Sequence, residues 1–326
     1  MTGVAGSEFS LIETHFARPA AIQPPRWLKL GIGDDAAVIE APPNRQLVST
    51  LDTLVEGRHF PESTEAASIG WKSLAVNVSD LVAMAADPAH FLLSLTLPQD
   101  DEPWLARFSD GLFRAAEAFG MTLVGGDTCR GPLSISIQAN GWVPPDQFVT
   151  RSGASPGDRI WLSGRVGEAA LGLALLQGRI DPEKVGAATT ARAFTALNYP
   201  QPRIELIGLL RRQATAAIDI SDGLAADLRH LLEQSGVGAV IDRSALPLVD
   251  ALSPKQRLEL ALSGGDDYEI LFTASPAADD ALREAARLLP FDLSPIGRIT
   301  ESGCWLVGDG ERIHLNDYRG YDHFND

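Results

Sequence analysis

Cysteine is scarce in this 326-residue sequence, which contains only Cys129 and Cys304. Their spacing forms no metal-binding pair, and a reduced chain is favoured over a disulfide-stabilised one. No apolar run approaches the roughly 18 residues needed to span a bilayer. The N-terminus lacks a basic stretch followed by an apolar one, so no secretory signal is predicted. These absences predict a cytoplasmic protein that is not inserted in a membrane.

Positive charge is also in short supply. The chain has 27 Lys and Arg against 43 Asp and Glu, which gives a formal net charge of −16. This balance disfavours nucleic acid and anionic membranes as main partners, because both bind positive surfaces. None of the four lysines follows a glycine, so there is no P-loop. The kinase H-R-D signature is missing as well. A nucleotide would have to be bound without these common phosphate-binding motifs.

Strand-like and helix-like segments alternate along the chain, which predicts a fold of the α/β class, of the α+β type. The clearest helix covers residues 102–119, where Asp100 or Asp101 can cap the start, Pro103 suits the first turn and Gly120 ends it. The other predicted helices are 66–86, 167–177 and one that starts at Asp222; the predicted strands are 46–51, 91–97, 133–143, 159–164, 216–220, 237–241, 267–273, 295–299 and 304–307.

A stretch rich in Pro, Gly, Ser and Asp at residues 144–158 predicts a connection between two α/β domains. We place them at residues 1–148 and 149–326. The second domain is expected to be a mixed sheet with helices.

Aspartates recur at the edges of apolar segments, often beside glycine. The stretches are GIGDDAAVIE, STLDTLVEGRHF, NVSDLVAMAADP, LVGGDTCRGP, AIDISDGLAADLRHLL and LSGGDDYEILF. Two explanations are open, a solvated acidic surface or the binding of divalent cations, whose preferred ligands are carboxylate oxygens. The position beside apolar strands favours cation binding. Taken singly, Asp222 reads better as a helix N-cap, and Asp35 and Asp127 could be turn residues after glycine, so cation binding is inferred from the set of aspartates.

Carboxylates and glycines together suit a nucleoside triphosphate bound through metal ions. Glycines let backbone N–H groups approach phosphates closely. Aspartates can hold Mg²⁺ ions that neutralise the charge developing during phosphoryl transfer.

These stretches, in this order and over nearly the whole chain, closely resemble the thiamine-monophosphate kinase family. That family belongs to the superfamily of aminoimidazole-ribonucleotide synthetase and selenophosphate synthetase. The resemblance implies two α/β domains whose N-terminal halves pair in a homodimer. It implies ATP-dependent conversion of thiamine monophosphate to thiamine diphosphate, the last step of thiamine diphosphate biosynthesis, with several Mg²⁺ ions per active site. The N-terminal domain would then serve metal and ATP binding as well as dimerisation.

The resemblance also implies roles for individual residues. The implied metal ligands are Asp35, Thr50, Asp52, Asp80, Asp127, Asp219 and Asp222, among which Asp52, Asp80, Asp127 and Asp219 are the catalytic set. The implied nucleotide contacts are Gly126, Asp127, Arg151 and Ser221. The implied contacts to thiamine monophosphate are His59, Asp266 and Tyr321.

The sequence departs from the family pattern at two places. Leu51 stands between Thr50 and Asp52, where the family usually has threonine immediately before the aspartate, so a backbone carbonyl could replace the usual hydroxyl ligand. Asp266 stands where the family usually has glutamate, so its contact with substrate could be direct or through water. Two other functions stay open: another ATP-dependent synthetase or kinase of the superfamily, and a non-catalytic metal or nucleotide sensor. A selenophosphate synthetase would need a reactive cysteine near the N-terminus, and the first cysteine here is Cys129.

Overall fold

A computed structural model describes residues 8–20, 24–250 and 252–321. The chain divides into two compact units. The first comprises the residues up to Leu81 together with Ala86–Asp146, and the second comprises Val82–Ala85 and the residues from Gln147 onward.

The elements of the first unit are α1 (Glu8–Ile12), a π-helical turn (Glu13–Ala17), α2 (Arg18–Ala20), β1 (Leu28–Leu30), β2 (Val38–Ile39), β3 (Gln46–Val55), α3 (Ala66–Ala83), β4 (Asp87–Leu97), α4 (Glu102–Phe119), β5 (Thr122–Arg130) and β6 (Ser134–Val143). The unit is built on a four-stranded sheet of order β3-β6-β4-β5. β6 runs antiparallel to both of its neighbours, and β4 pairs with β5 in parallel.

Helix α4 confirms the prediction for residues 102–119. The Asp101 side chain accepts a hydrogen bond from the Trp104 N–H at 3.0 Å, and Gly120 ends the helix in the left-handed conformation. Helix α3 ends at Ala83, three residues before the predicted end. Ala85 then takes a positive φ of 56°, which a continuing helix cannot accommodate.

The strands of the second unit are β7 (Arg159–Ser163), β8 (Ala214–Asp219), β9 (Gly238–Asp242), β10 (Ile270–Ala274), β11 (Leu293–Thr300), β12 (Cys304–Gly308) and β13 (Glu311–His314). They form a mixed seven-stranded sheet of order β13-β12-β9-β11-β7-β10-β8. Among the pairings, β12 with β9 is parallel and the others are antiparallel. Its helices are α5 (Glu168–Leu176), α6 (Pro182–Val185), α7 (Ala187–Asn198), α8 (Ile207–Gln213), α9 (Leu224–Ser235), α10 (Pro254–Ser263) and α11 (Asp279–Ala286).

Helix α9 begins at Leu224, so the prediction that it starts at Asp222 is wrong. Its N-cap is Gly223, whose φ of 112° is non-helical, and no side chain caps the helix from that position. The apolar residues of α9 that pack into the core include Leu224, Leu228 and Leu231, all less than 2% exposed. Burial of this face fixes the helix against the sheet, and thereby the loop between β8 and α9.

Candidate active site

Strand β3 and helix α3 bring three of the predicted metal ligands together. Thr50 Oγ1 donates to Asp80 Oδ2 at 2.5 Å. Side chains two apart on a strand share a face, so Thr50 and Asp52 lie on the side of the sheet that α3 contacts. The intervening Leu51 lies on the other face and is 63% exposed. The extra leucine therefore leaves a hydroxyl beside the aspartates, supplied by Thr50.

Asn77 belongs to this group and was missed by sequence reasoning. Its side-chain oxygen accepts from the Asp52 N–H at 3.0 Å, and its amide donates to the Ser73 carbonyl at 3.0 Å. Asn77 is completely buried. Its position could have identified it, because Asn77 stands three residues before Asp80 on one helix and both side chains therefore lie on the same side of that helix. Asn77 thus fixes the backbone of Asp52 beside α3.

The raised pKa of Asp52 shows that the electrostatic environment of this cluster disfavours a second negative charge. Burial, with a smaller effect from the charge of Asp80, raises the pKa of Asp52 from 3.8 to about 6. Two carboxylates held close together in a partly buried site repel each other, and a divalent cation would relieve that repulsion. Two carboxylates and a hydroxyl also fit Mg²⁺, which proteins commonly bind through one or two carboxylates, water and substrate phosphates.

The structure does not bring every predicted ligand to this cluster. Asp52, Ile137, Leu93 and Gly126 form one row across the sheet, with Asp52 on one outer strand and Gly126 on the other. Three strand spacings amount to roughly 14 Å, so Asp127 lies far from Asp52 within one chain. Asp35 is exposed, and its N–H bonds to Asp34 at 3.0 Å. Within the described ranges, no three His, Cys, Asp or Glu side chains are grouped to hold a metal ion.

Gly126 occupies a position that requires glycine. Its φ is +157°, and a Cβ there would lie 1.9 Å from the backbone oxygen of Leu93. Strand β5 therefore approaches β4 too closely for any side chain at this point. The exposed backbone of Gly126 and the exposed carboxylate of Asp127 are left adjacent at the outer edge of the sheet.

His59 lies in the turn that follows β3. The Val55 N–H donates to Nδ1 of His59 at 2.9 Å, and the backbone N–H of His59 donates to the Val55 carbonyl at 3.0 Å. A neutral imidazole that accepts at Nδ1 carries its proton on Nε2. The turn therefore fixes the orientation of the ring through Nδ1.

In the second unit, the loop Ile220–Gly223 follows β8 and carries the paired aspartates. Asp219 ends the strand and is only 4% exposed. Asp227 lies in the first turn of α9, and its side chain reaches back to this loop. Its Oδ2 accepts from three successive backbone N–H groups, those of Ser221 at 3.0 Å, Asp222 at 3.0 Å and Gly223 at 3.2 Å.

This arrangement corrects the reading of Asp222 as a possible N-cap. The N-cap residue of α9 is Gly223, and the carboxylate that accepts from the loop amides belongs to Asp227. Burial, reinforced by the charge of Asp222, raises the pKa of Asp227 to about 7, although its three backbone hydrogen bonds act in the opposite direction. Sequence reasoning missed Asp227 because an acid in the first turn of a helix is usually only a dipole effect.

The segment Gly264–Glu269 lies against the same loop. The Asp266 N–H donates to the Ser221 carbonyl at 2.9 Å, and the Tyr268 N–H donates to the Ile220 carbonyl at 2.8 Å. Asp266 and Tyr268 both have positive φ, 70° and 50°, and the Tyr268 hydroxyl donates to Asp266 Oδ1 at 3.0 Å. Strained non-glycine residues persist only where the surroundings hold them. Asp266 is thereby fixed beside Ser221.

Two acids at alternate positions, the half-buried Asp267 and the buried Glu269, hold this segment. Asp267 accepts from the N–H groups of Gly167 at 2.7 Å and Ala169 at 3.3 Å, at the start of α5. Glu269 forms a buried ion pair with Arg203 and accepts from Ser163 Oγ at 2.5 Å. Sequence reasoning missed both acids, because their partners Gly167 and Arg203 are remote in the sequence.

The last two predicted residues of this unit lie on its surface. Arg151 is exposed, and its carbonyl accepts from the Ser235 hydroxyl at 3.0 Å. Tyr321 is 37% exposed, and its N–H donates to the Asp222 carbonyl at 3.2 Å. The second unit thus brings Asp219, Ser221, Asp222, Asp266 and Tyr321 to one loop cluster. None of its described helices is long and apolar enough to cross a membrane, nor is any in the first unit.

Comparison with known proteins defines the class first. Residues 33–143 match the family described as AIR synthase related protein, N-terminal domain, and residues 155–304 match the corresponding C-terminal domain. The chain therefore consists of two AIR synthase-type domains.

Relatives that match over nearly their full length identify the family within this class. The thiamine-monophosphate kinase of Escherichia coli K12 is 45% identical over 98% of this chain and 99% of its own length, and that of Haemophilus influenzae is 37% identical over 99% of each. The crystal structure of thiamine-monophosphate kinase from Stenotrophomonas maltophilia has 44% identity and a TM-score of 0.83, covering 94% of this chain and 97% of its own. AaThiL complexed with AMPPCP and TMP has 33% identity and a TM-score of 0.75, covering 98% and 97%. The chain belongs to the thiamine-monophosphate kinase family.

Proposed function

We propose that this chain transfers the γ-phosphoryl group of ATP to thiamine monophosphate and so produces thiamine diphosphate. The observation that carries the proposal is full-length membership in a family of which one member was solved with AMPPCP and TMP together. AMPPCP is a non-hydrolysable analogue of ATP. The cluster of Thr50, Asp52 and Asp80 and the loop carrying Asp219 and Asp222 support the proposal, because each offers carboxylates to a metal–nucleotide complex.

Magnesium is the cofactor that these residues would hold. The ligands we propose are Asp35, Thr50, Asp52, Asp80, Asp127, Asp219 and Asp222. When bound, the ions would neutralise charge on the phosphates of the transition state. The N-terminal unit would supply five of these ligands and the nucleotide-contacting backbone of Gly126.

The acceptor supplies its own nucleophile. The second pKa of a phosphate monoester is near ~6, so the terminal phosphate of thiamine monophosphate is largely a dianion at neutral pH. An enzyme acting on it needs no strong general base and can use direct in-line transfer, without a phosphoenzyme. The protein's own tasks are to orient the two anions and to offset their repulsion.

Individual side chains fit those tasks. His59 would donate from Nε2 to the thiamine phosphate, since Val55 occupies Nδ1. Asp266 would contact the same substrate from its fixed position beside Ser221, and Tyr321 from beside Asp222. Arg151 and Ser221 would contact the nucleotide. We also propose a cytoplasmic homodimer paired through the N-terminal domains, with the domains at residues 1–148 and 149–326.

An ADP-release assay tests the proposal against its alternatives. The purified chain is mixed with ATP and Mg²⁺, and with thiamine monophosphate, other phosphate monoesters or no acceptor. Release of ADP that depends on thiamine monophosphate supports the kinase. Equal release with other esters would favour another superfamily enzyme, and binding of ATP without release under any condition would favour a sensor.

A further inference from the structure

The C-terminal segment Tyr318–Tyr321 packs directly on the loop that carries Asp222. The Tyr321 N–H donates to the Asp222 carbonyl at 3.2 Å. Gly320 allows this approach, because a Cβ at that position would lie 2.4 Å from the Ala226 Cβ and 2.8 Å from the Asp222 carbonyl oxygen. The backbone of the segment and the backbone of the loop are therefore in contact with no side chain between them.

Helix α9 hydrogen-bonds to the segment through Arg229. Arg229 Nη1 donates to the Tyr318 carbonyl at 2.9 Å and to the Leu315 carbonyl at 3.2 Å. Leu315 is completely buried and Tyr318 packs against the core, so Arg229 bonds to the chain where the segment leaves the core. Arg229 itself is half-buried. A guanidinium suits this position because its donors are fixed in a plane, whereas an ammonium is a strongly hydrated point charge.

The same helix turn also organises the metal-binding loop. Asp227, two residues before Arg229, gathers the N–H groups of Ser221, Asp222 and Gly223. Helix α9 therefore hydrogen-bonds to the Asp222 loop through the Asp227 carboxylate and to the Tyr318–Tyr321 segment through the Arg229 guanidinium. Neither Asp227 nor Arg229 has to touch a substrate to influence where Asp222 and Tyr321 stand relative to each other.

We propose that Arg229 is a positioning residue for the thiamine phosphate site, which it serves by fastening Tyr318–Tyr321 against the Asp222 loop. The inference rests on the proposed function, because it takes Tyr321 as a contact of thiamine monophosphate. Loss of the two hydrogen bonds from Arg229 frees the segment while the loop amides stay bonded to Asp227. The effect should therefore fall on the acceptor substrate and spare the nucleotide.

The test compares Arg229→Gln, Arg229→Lys and the wild type, with Arg298→Gln as the control. Arg298 is an exposed arginine of the same unit, on β11, so its loss matches the change of charge. For each protein the measurements are kcat, KM for thiamine monophosphate, KM for ATP, and the hydrogen exchange rate of the Tyr321 amide. Displacement of a substrate-contacting segment should raise KM for thiamine monophosphate on the order of tenfold in Arg229→Gln.

KM for ATP should change less than twofold, and the Tyr321 amide should exchange faster. Arg229→Lys should recover part of the affinity, and Arg298→Gln should match the wild type. Gly320→Ala tests the inference independently. It disturbs the contact between the segment and the Asp222 loop while Arg229 is intact, and it should also raise KM for thiamine monophosphate.

Several results would overturn the inference. One is faster exchange at Tyr321 with an unchanged KM for thiamine monophosphate. Another is an equal rise of both KM values together with a lower melting temperature in Arg229→Gln, Arg229→Lys and Gly320→Ala, which would indicate a merely structural role. Failure of the proposed function is recognised separately, because the wild type would then show no turnover with thiamine monophosphate.

Discussion

Thr50 Oγ1 lies 2.5 Å from Asp80 Oδ2, in a hydrogen bond that joins β3 to α3. The hydroxyl and the carboxylate are both predicted metal ligands, and Asp52 lies on the same face of β3. The hydrogen bond holds the Thr50 hydroxyl and the Asp80 carboxylate side by side, so a Mg²⁺ ion bound at the proposed site could be held by both oxygens.

Replacement of Thr50 by valine should weaken magnesium binding without unfolding the protein. Valine keeps the branched shape but lacks the hydroxyl, so the Mg²⁺ concentration for half-maximal turnover should rise on the order of tenfold. Thr53→Val is the matched control, because Thr53 is on the same strand but on the opposite face, where it pairs with Ser136 at 2.8 Å. Equal magnesium dependence in both variants would show that Thr50 is not near the metal.

Magnesium affinity should depend on pH through Asp52. Its pKa is raised from 3.8 to about 6 in the metal-free protein by burial and by Asp80, so protons compete with the cation below that pH. In the metal-free protein, the stability that this proton contributes is present below pH 3.8 and is lost as the pH rises through about 6.

Calorimetric titration with Mg²⁺ at several pH values measures this competition. The affinity should level off above neutrality and fall by up to about tenfold per pH unit below pH 6, since one proton is displaced. An affinity that is flat from pH 5 to pH 8 would contradict the assignment of Asp52.

Asp219→Asn and Asp222→Asn should each lower turnover by orders of magnitude while leaving the fold nearly unchanged. Each substitution would remove a negative ligand that we propose for Mg²⁺ while keeping the shape of the side chain, and phosphoryl transfer depends on the ions that such ligands hold. Asp317→Asn, an exposed position of the same unit, serves as control. Turnover and melting temperature would be compared at low and high Mg²⁺. Near-normal turnover in both variants at low Mg²⁺ would show that Asp219 and Asp222 do not bind the metal and have purely structural roles.

Asp227→Ala should destabilise the protein, because it leaves three loop N–H groups without their shared acceptor. Each unsatisfied buried donor costs about 1–3 kcal/mol, although water entering the space left by the side chain would offset part of this. Asp227→Asn should cost less, since its amide oxygen can still accept. Urea unfolding of the two variants measures the difference. If alanine and asparagine cost the same, the three hydrogen bonds do not hold the loop.

The sequence was sufficient where the determining interactions are local. Helix α4 was predicted at its observed ends because Asp101, Pro103 and Gly120 act within one turn of those ends. By contrast, the place of Leu51 was left open, because the strand was predicted to end at residue 51. β3 continues to Val55, and the alternation along it puts Thr50 and Asp52 on one face and Leu51 on the other.

The sequence was insufficient where the partner is remote or the order of strands matters. The start of α9 was misplaced because the acceptor for the loop amides is Asp227, inside the helix, and not a side chain at its N-cap. The separation of Asp52 from Asp127 depends on β3 and β5 being the two outer strands, and no local pattern encodes that order. Asp267 and Glu269 were missed for the same reason, since their partners Gly167 and Arg203 lie far away in the sequence.

The most direct measurement of the central claim follows the phosphoryl group itself. The wild-type chain is incubated with Mg²⁺, thiamine monophosphate and ATP that carries a radioactive phosphorus in its γ-phosphate, and the products are separated. The account predicts that the label appears in thiamine diphosphate in amounts equal to the ADP formed, and that chelation of Mg²⁺ abolishes both. Label found only in inorganic phosphate, or thiamine diphosphate formed without Mg²⁺, would contradict it.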